Sequence, residues 1–167
     1  MNRYWLKYCF IVFSILLFIS CERDDICPPT TPTTPLLIIE FFDVAETDEN
    51  KSVQNLGYIA EGTTDTIFIN GSTDSIAIPL NTNLNTTTYQ FIRNTNNQNF
   101  INADAVEFIY QIGEVYVNRP CAFKAVYRDL SAIRQAEDPL TDNWIRSVIT
   151  EQINVENEQN THVSILH

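Results

Sequence analysis

The chain is expected to fold as an all-β protein, an antiparallel sandwich of about nine strands with an immunoglobulin-like arrangement. Three features of the sequence lead there. Val106, Phe108, Tyr110 and Ile112 alternate along one side of an extended segment, the period-two signature of a half-buried strand. Thr, Asn, Ile, Val, Tyr and Phe are abundant, against only 4 Gly and 1 Met, a balance that suits strands joined by polar turns. The other apolar stretches are short, and none carries a helical period.

The first residues read as an address. Arg3 and Lys7 form a basic front, residues 9–20 are an almost unbroken apolar run, and Phe18-Ile19-Ser20-Cys21 closes it on a small residue before a cysteine. This is the layout of a secretory signal. The run is too short to cross a bilayer, for which a helix needs roughly 20 residues, so a permanent transmembrane anchor is not expected. The ending resembles the lipobox of bacterial lipoproteins, and that resemblance implies cleavage before Cys21, with lipid on its sulfur and its new amino group. Two or more acyl chains hold a protein on a membrane, each buried methylene contributing ~0.8 kcal/mol. An ordinary secreted protein with Cys21 a plain thiol is the other reading. Glu22, Asp24 and Asp25 follow; they resemble the acidic export signals that follow the lipid cysteine in flavobacterial-type bacteria, a solvated tether being the alternative. The expected place is the outer membrane, with the leaflet open between periplasmic and cell-surface faces.

Removing residues 1–20 takes away Arg3 and Lys7 and no acid, so the mature part carries 8 basic against 21 acidic side chains, a net charge of −13. Nucleic acid and anionic lipid are poor partners for such a surface. With Cys9 in the signal and Cys21 taken by lipid, Cys27 and Cys121 remain. In an exported chain they form a disulfide or stay as two buried thiols. A bond between them leaves only residues 22–26 as free tether, roughly 17 Å when extended.

Residues 28–35, rich in Pro and Thr, form a stiff polyproline-like spacer, which makes 21–35 the tether and 36–167 a single folded domain. Residues 36–42 are apolar on both faces and read as a central strand. Residues 43–51 are an acidic loop in which Asp43, Glu46, Asp48, Glu49 and Asn50 offer oxygen ligands of the kind calcium takes. Their spacing matches no EF-hand, and a solvated loop is expected. Residues 55–60 and 65–70 are strand candidates. A hairpin is expected from 65–70 to 75–80, with Ile69 opposite Ile76 and Ile67 opposite Ile78, because that register keeps the isoleucines on one face. Pro79 makes 75–80 an edge. Residues 87–93 form a short strand among Asn/Thr-rich loops. A turn at Gly113-Glu114 would set Ile112 against Val115, Tyr110 against Val117 and Val106 against Cys121, with a bulge at Arg119-Pro120. A helical turn is expected around residues 132–136. The last hairpin would point Ile145, Ile149, Ile153 and Val155 inward, with Val155 opposite Val163 and Ile153 opposite Ile165.

Catalytic constellations are absent from this reading. His162 and His167 lie five apart on the last strand, hence on opposite faces, and are expected to be exposed strand-end residues without a shared metal. Neither a nucleophile–base pair nor a glycine-rich phosphate loop stands out, and no cofactor is expected. Tyr89, Phe91, Tyr116, Tyr127 and Trp144 either line a glycan platform or fill the core, the commoner use.

The segments Cys-Glu-Arg-Asp-Asp-Ile-Cys (21–27), Thr-Thr-Pro-Leu-Leu-Ile-Ile-Glu-Phe-Phe-Asp (33–43), Ser-Thr-Asp-Ser-Ile-Ala-Ile-Pro-Leu (72–80), Val-Tyr-Val-Asn-Arg-Pro-Cys-Ala-Phe-Lys (115–124) and Val-Glu-Asn-Glu-Gln-Asn-Thr-His-Val (155–163) together resemble a flavobacterial-type lipoprotein family classed as a domain of unknown function. The resemblance includes Cys27 and Cys121, which supports their pairing, and implies location and domain extent without an activity. The expectation is therefore a non-enzymatic outer-membrane lipoprotein, held to the membrane through Cys21, with an envelope structural or protein-interaction role. A glycan or small-ligand binding module is the alternative.

Overall fold

The computed structural model describes residues 26–97, 99–135 and 143–167. Among them the chain is all-β, with eleven strands: β1 Leu37–Phe42, β2 Val53–Gln54, β3 Gly57–Ala60, β4 Ile67–Phe68, β5 Ser72–Thr73, β6 Ser75–Ile78, β7 Thr86–Arg93, β8 Asn102–Asn118, β9 Ala122–Arg134, β10 Ser147–Thr150 and β11 Val163–Leu166. They form a β-sandwich. One sheet has the order β10-β11-β1-β6, the other β4-β3-β7-β8-β9, and β2 pairs with β5 in a small ribbon. The chain divides into two compact units. The larger spans Pro32–Val115 and Lys124–His167, and the smaller contains, among described residues, 26–31 and Tyr116–Phe123.

β1 is the central strand that its apolar run calls for. Leu37, Ile39 and Phe41 are fully buried, and the alternate residues are half-buried. On one side Leu37 and Ile39 pair antiparallel with Ile78 and Ile76 of β6, the edge strand that Pro79 implied. On the other, Ile39 and Phe41 pair in parallel with Val163 and Ile165 of β11. All four residues of β11 are buried, so the C-terminal segment is tied into the sheet. The second sheet contributes Tyr58, Tyr89, Phe91, Val106, Phe108, Tyr110 and Tyr127 to the same core. Buried phenols need partners, and three of them find backbone carbonyls: Tyr89 Oη donates to Pro79 O (2.8 Å), Tyr127 Oη to Leu80 O (3.0 Å), and Tyr110 Oη to Asn81 O (2.8 Å). Trp144 Nε1 likewise donates to Phe91 O (3.1 Å).

Buried Asp104 fastens the chain where it re-enters the core after β9. Its Oδ2 accepts from the Ile145 amide at 2.6 Å. With its amide turned to satisfy both neighbours, Asn143 donates to Asp104 Oδ1 and accepts from Arg134. A carboxylate is tolerated at this depth because both oxygens are used.

Several pairings differ from those expected. Ile67 and Phe68 pair with Tyr58 and Gly57, not with Ile76 and Ile78. The isoleucine parity was real, but Ile76 and Ile78 gain more by covering fully buried Ile39 and Leu37 than by pairing with a strand whose Ile67 remains 51% exposed. β8 runs straight through Gly113-Glu114. A Cβ on Gly113 would stand 3.3 Å from Val126 Cγ2, so this glycine serves close approach to β9 and not a turn. The reversal falls at Arg119–Cys121, where Asn118 Oδ1 accepts from the Cys121 amide (2.9 Å) and Pro120 presets the bend. Ala132 lies inside β9 and not in a helical turn; its amide donates to Thr150 Oγ1 at 3.2 Å.

The last hairpin also takes another register, with Val148 opposite Ile165 and Thr150 opposite Val163. Val155 instead leaves this sheet and bridges Tyr127, its amide donating to Tyr127 O at 2.8 Å. Ile145 and Val155 are buried as expected, whereas Ile149 and Ile153 are exposed.

These differences separate two kinds of isoleucine. Ile39→Ala should cost about 3 kcal/mol in urea denaturation, and exposed Ile153→Ala no more than about 0.5 kcal/mol. Equal losses at both positions would contradict the burial described here.

Candidate functional site

Two regions have features that packing alone does not require: the disulfide-closed smaller unit, and a cleft on the outer face of the five-stranded sheet.

In the smaller unit Cys27 and Cys121 are joined by a disulfide with Cα atoms 4.8 Å apart, closing a sequence separation of 94. The geometry is local in origin. The Asn118–Cys121 turn projects Cys121, and the Thr31 amide donates to Pro28 O (3.0 Å), folding the start of the Pro/Thr segment back on itself. Thr31 Oγ1 lies 3.5 Å from Cys121 Sγ. Tyr116 and Phe123 pack edge to face with centroids 5.4 Å apart, yet they remain 57% and 59% exposed. The lipidation candidate Cys21 and the acidic residues Glu22, Asp24 and Asp25 lie outside the described residues.

The cleft, of about 610 Å³, is lined by Glu61, Thr63, Thr88, Gln90, Glu107 and Gln135 together with small apolar residues. Gln90 stands opposite Ala105, and Thr88 opposite Glu107, so outward parity on β7 and β8 brings their polar groups to one face. Gln135 Nε2 donates to Glu107 Oε2 at 2.6 Å. The rim is a tight turn: the Glu61 amide donates to Thr88 O (2.9 Å), Thr63 Oγ1 to Ala60 O (2.7 Å), and Gly62 takes φ +81°. A second hollow of about 400 Å³ shares this turn and reaches Pro79, Asn81 and Leu84. Sequence reasoning did not single these residues out. The signal was there in the alternation of Gln90 and Glu107 against buried Tyr89, Phe91, Val106 and Phe108, but only the register brings them together.

The aromatic candidates fall on both sides of their two readings. Tyr89, Phe91, Tyr127 and Trp144 are buried and fill the core, so they form no glycan platform; Tyr116 alone of that set is exposed. Burial pushes the Tyr89 and Tyr127 hydroxyls up to about 12.

The histidines are not exposed strand-end residues. His162 is 1% exposed and accepts at Nδ1 from the Ile38 amide (3.0 Å). Half-buried His167 sets Nε2 3.0 Å from Lys51 O and packs edge-on against Phe41 and Trp144. They are enclosed because β11 is an inner strand of its sheet, paired along both edges, with all four of its residues buried. Burial lowers the pKa of both imidazoles, opposed by hydrogen bonds to backbone at Asn157 and Lys51 respectively.

The acidic loop is closed by Lys51, whose Nζ meets Asp43 Oδ2 at 3.1 Å and donates to His167 O at 2.8 Å. The Asp43 carboxyl is held below its usual range, first by the Ala45 amide and then by Lys51. Among the described residues no group of three or more His, Cys, Asp or Glu is placed to hold a metal ion.

The fold and these two regions define a disulfide-closed β-sandwich with a polar open cleft. A family of unknown function, DUF6452, matches residues 55–167, and the chain belongs to that family. No curated protein and no solved structure matches it.

Two outcomes follow for stability. Cys27→Ser with Cys121→Ser, or reduction, should remove up to ~4.6 kcal/mol on the loop-entropy account, read as a drop in urea midpoint; an unchanged midpoint would contradict it. The imidazoles titrate lower in the folded than in the unfolded chain, so the unfolded chain takes up protons first as pH falls. Their contribution is present above the unfolded value, about 6.5, and is lost as pH falls below it. Melting temperature should therefore drop between pH ~7.5 and ~5.5, and His162→Gln should flatten that drop. A flat profile in the parent chain would contradict the burial of both rings.

Proposed function

We propose that this chain is a lipoprotein of the outer membrane, acylated at Cys21, whose folded part serves an envelope structural or protein-interaction role and not catalysis. The observation that carries the reading is the apolar run of residues 9–20, preceded by Arg3 and Lys7 and closed by Ser20-Cys21. Three others support it. The Cys27–Cys121 disulfide suits an oxidising compartment. That bond leaves residues 22–26 as the free tether, roughly 17 Å when extended, which suits a folded part held close to a membrane. His162 spends both ring nitrogens on backbone groups, Nδ1 accepting from the Ile38 amide and the other bonding at Asn157, so that imidazole has no free lone pair to act as a general base. In the resemblance to flavobacterial-type lipoproteins, Glu22, Asp24 and Asp25 belong to the export signal, and the cell surface is the destination.

The cleft favours a second reading, a binding module for a glycan or another small polar ligand. Its lining of carboxylate, amide and hydroxyl groups matches a polyhydroxylated ligand. Fluorescence or calorimetric titration with soluble envelope saccharides reads this directly. Binding lost in Glu107→Ala would support it, and binding unaffected by Glu107→Ala and Gln90→Ala together would remove it.

Growth with an alkynyl palmitate analogue tests the leading reading. The expected result is label on the chain and recovery of the protein with outer membranes on a density gradient. Cys21→Ala should abolish the label and release or retain the chain uncleaved. Label persisting in Cys21→Ala, or no label in the parent, would overturn the assignment.

A further inference from the structure

We infer that the turn joining β8 to β9 is a second, weaker membrane contact, in which Tyr116 and Phe123 seat in the zwitterionic headgroup layer of the same bilayer that holds the lipid. The inference rests on the acylation of Cys21 proposed above.

Single exposed apolar residues need no explanation. Tyr116 and Phe123 are different, because they form one edge-to-face pair, are more than half exposed, and share their compact unit with Ile26, itself 81% exposed. The disulfide ties this unit to the start of the chain, since Cys27 is bonded to Cys121 and Phe123 follows two residues later. Six residue steps separate Cys21 from Cys27, at most about 20 Å of extended chain. Acyl chains at Cys21 therefore confine the aromatic pair to the vicinity of the bilayer surface whatever the tether does.

The chemistry selects the occupant. Tyrosine and phenylalanine prefer the interface between headgroups and hydrocarbon. A mature charge of −13 opposes approach to an anionic surface, so the fitting partner is a neutral, zwitterionic phospholipid layer entered by uncharged rings. An anchor and an interfacial contact joined by a short tether act together, because the second binds at high effective concentration.

The mature chain offers its own probe. Of the 2 tryptophans in the sequence, Trp5 leaves with the signal and Trp144 is 1% exposed. Acylated protein carrying Tyr116→Trp, and separately Phe123→Trp, is reconstituted into phosphatidylcholine vesicles with and without brominated acyl chains. The expected result is co-flotation with vesicles, a blue shift of the added tryptophan in vesicles relative to the same variant carrying Cys21→Ala in buffer, and loss of its emission with brominated lipid. The parent Trp144 signal should stay unquenched. Flotation with no quenching of either added tryptophan would overturn the inference while leaving the lipid anchor standing. Proximity crosslinking through position 116 to a second copy, without quenching, would also overturn it, in favour of self-association. Failure to float would reject the anchor, and the inference would fall with it.

Discussion

The larger unit depends on one pairing, the parallel ladder between β1 and β11. These strands come from opposite ends of the domain, and β1 cannot be an inner strand until residues 163–166 reach it. Once paired, Ile39 lies between buried Ile76 and Val163, with Leu37 beside Ile78 and Phe41 beside Ile165. Two histidines close the ladder's ends: His162 bonds the Ile38 amide and carbonyl, while the His167 amide bonds Phe42 O at 3.0 Å. Contacts so distant in sequence carry a large loop-closure cost before they are rewarded. They also fix two neighbouring segments, because Glu158 receives the Leu36 amide (2.9 Å) and His167 O receives Lys51 Nζ. The entry of the chain into the sandwich and the shape of the acidic loop are thus both set from the C-terminal strand.

That arrangement bears on the proposed role. A domain held on a membrane by a lipidated first residue needs a defined start to its fold. Here the start is fixed by β1 in the larger unit and by the Cys27–Cys121 bond in the smaller. What remains for recognition is surface chemistry: the open cleft around Glu107 and Gln135, and the exposed Tyr116–Phe123 pair.

Much of the fold could be read from residue order. The all-β class, the inner position of β1, the edge position of β6 and the strand expected at 87–93, which is β7, all follow from local patterns of burial and from Pro79. Most of the pairing differences share one cause. Pairing was assigned between strands adjacent in sequence, whereas Ile76 and Ile78 cross to β1, Val155 crosses to Tyr127, and Val163 pairs with Ile39 and Thr150. Parity says which residues share a face, but it does not say which strand lies beside them. The same limit hid the cleft, since Glu61, Gln90, Glu107 and Gln135 come from four separate segments. Gly113-Glu114 misled for another reason: a glycine marks either a turn or a close approach, and the strand facing it decides which.

The central claim is that one molecule carries lipid on Cys21 and a bond between Cys27 and Cys121. Peptide mapping of the envelope-extracted protein under non-reducing conditions tests both at once. Trypsin should release residues 21–23 with the mass of an acylated cysteine, and peptide 24–51 joined to peptide 94–124, the Arg119-Pro120 bond being resistant. An unmodified peptide spanning Ser20-Cys21, or peptides 24–51 and 94–124 recovered separately with free thiols, would contradict the account.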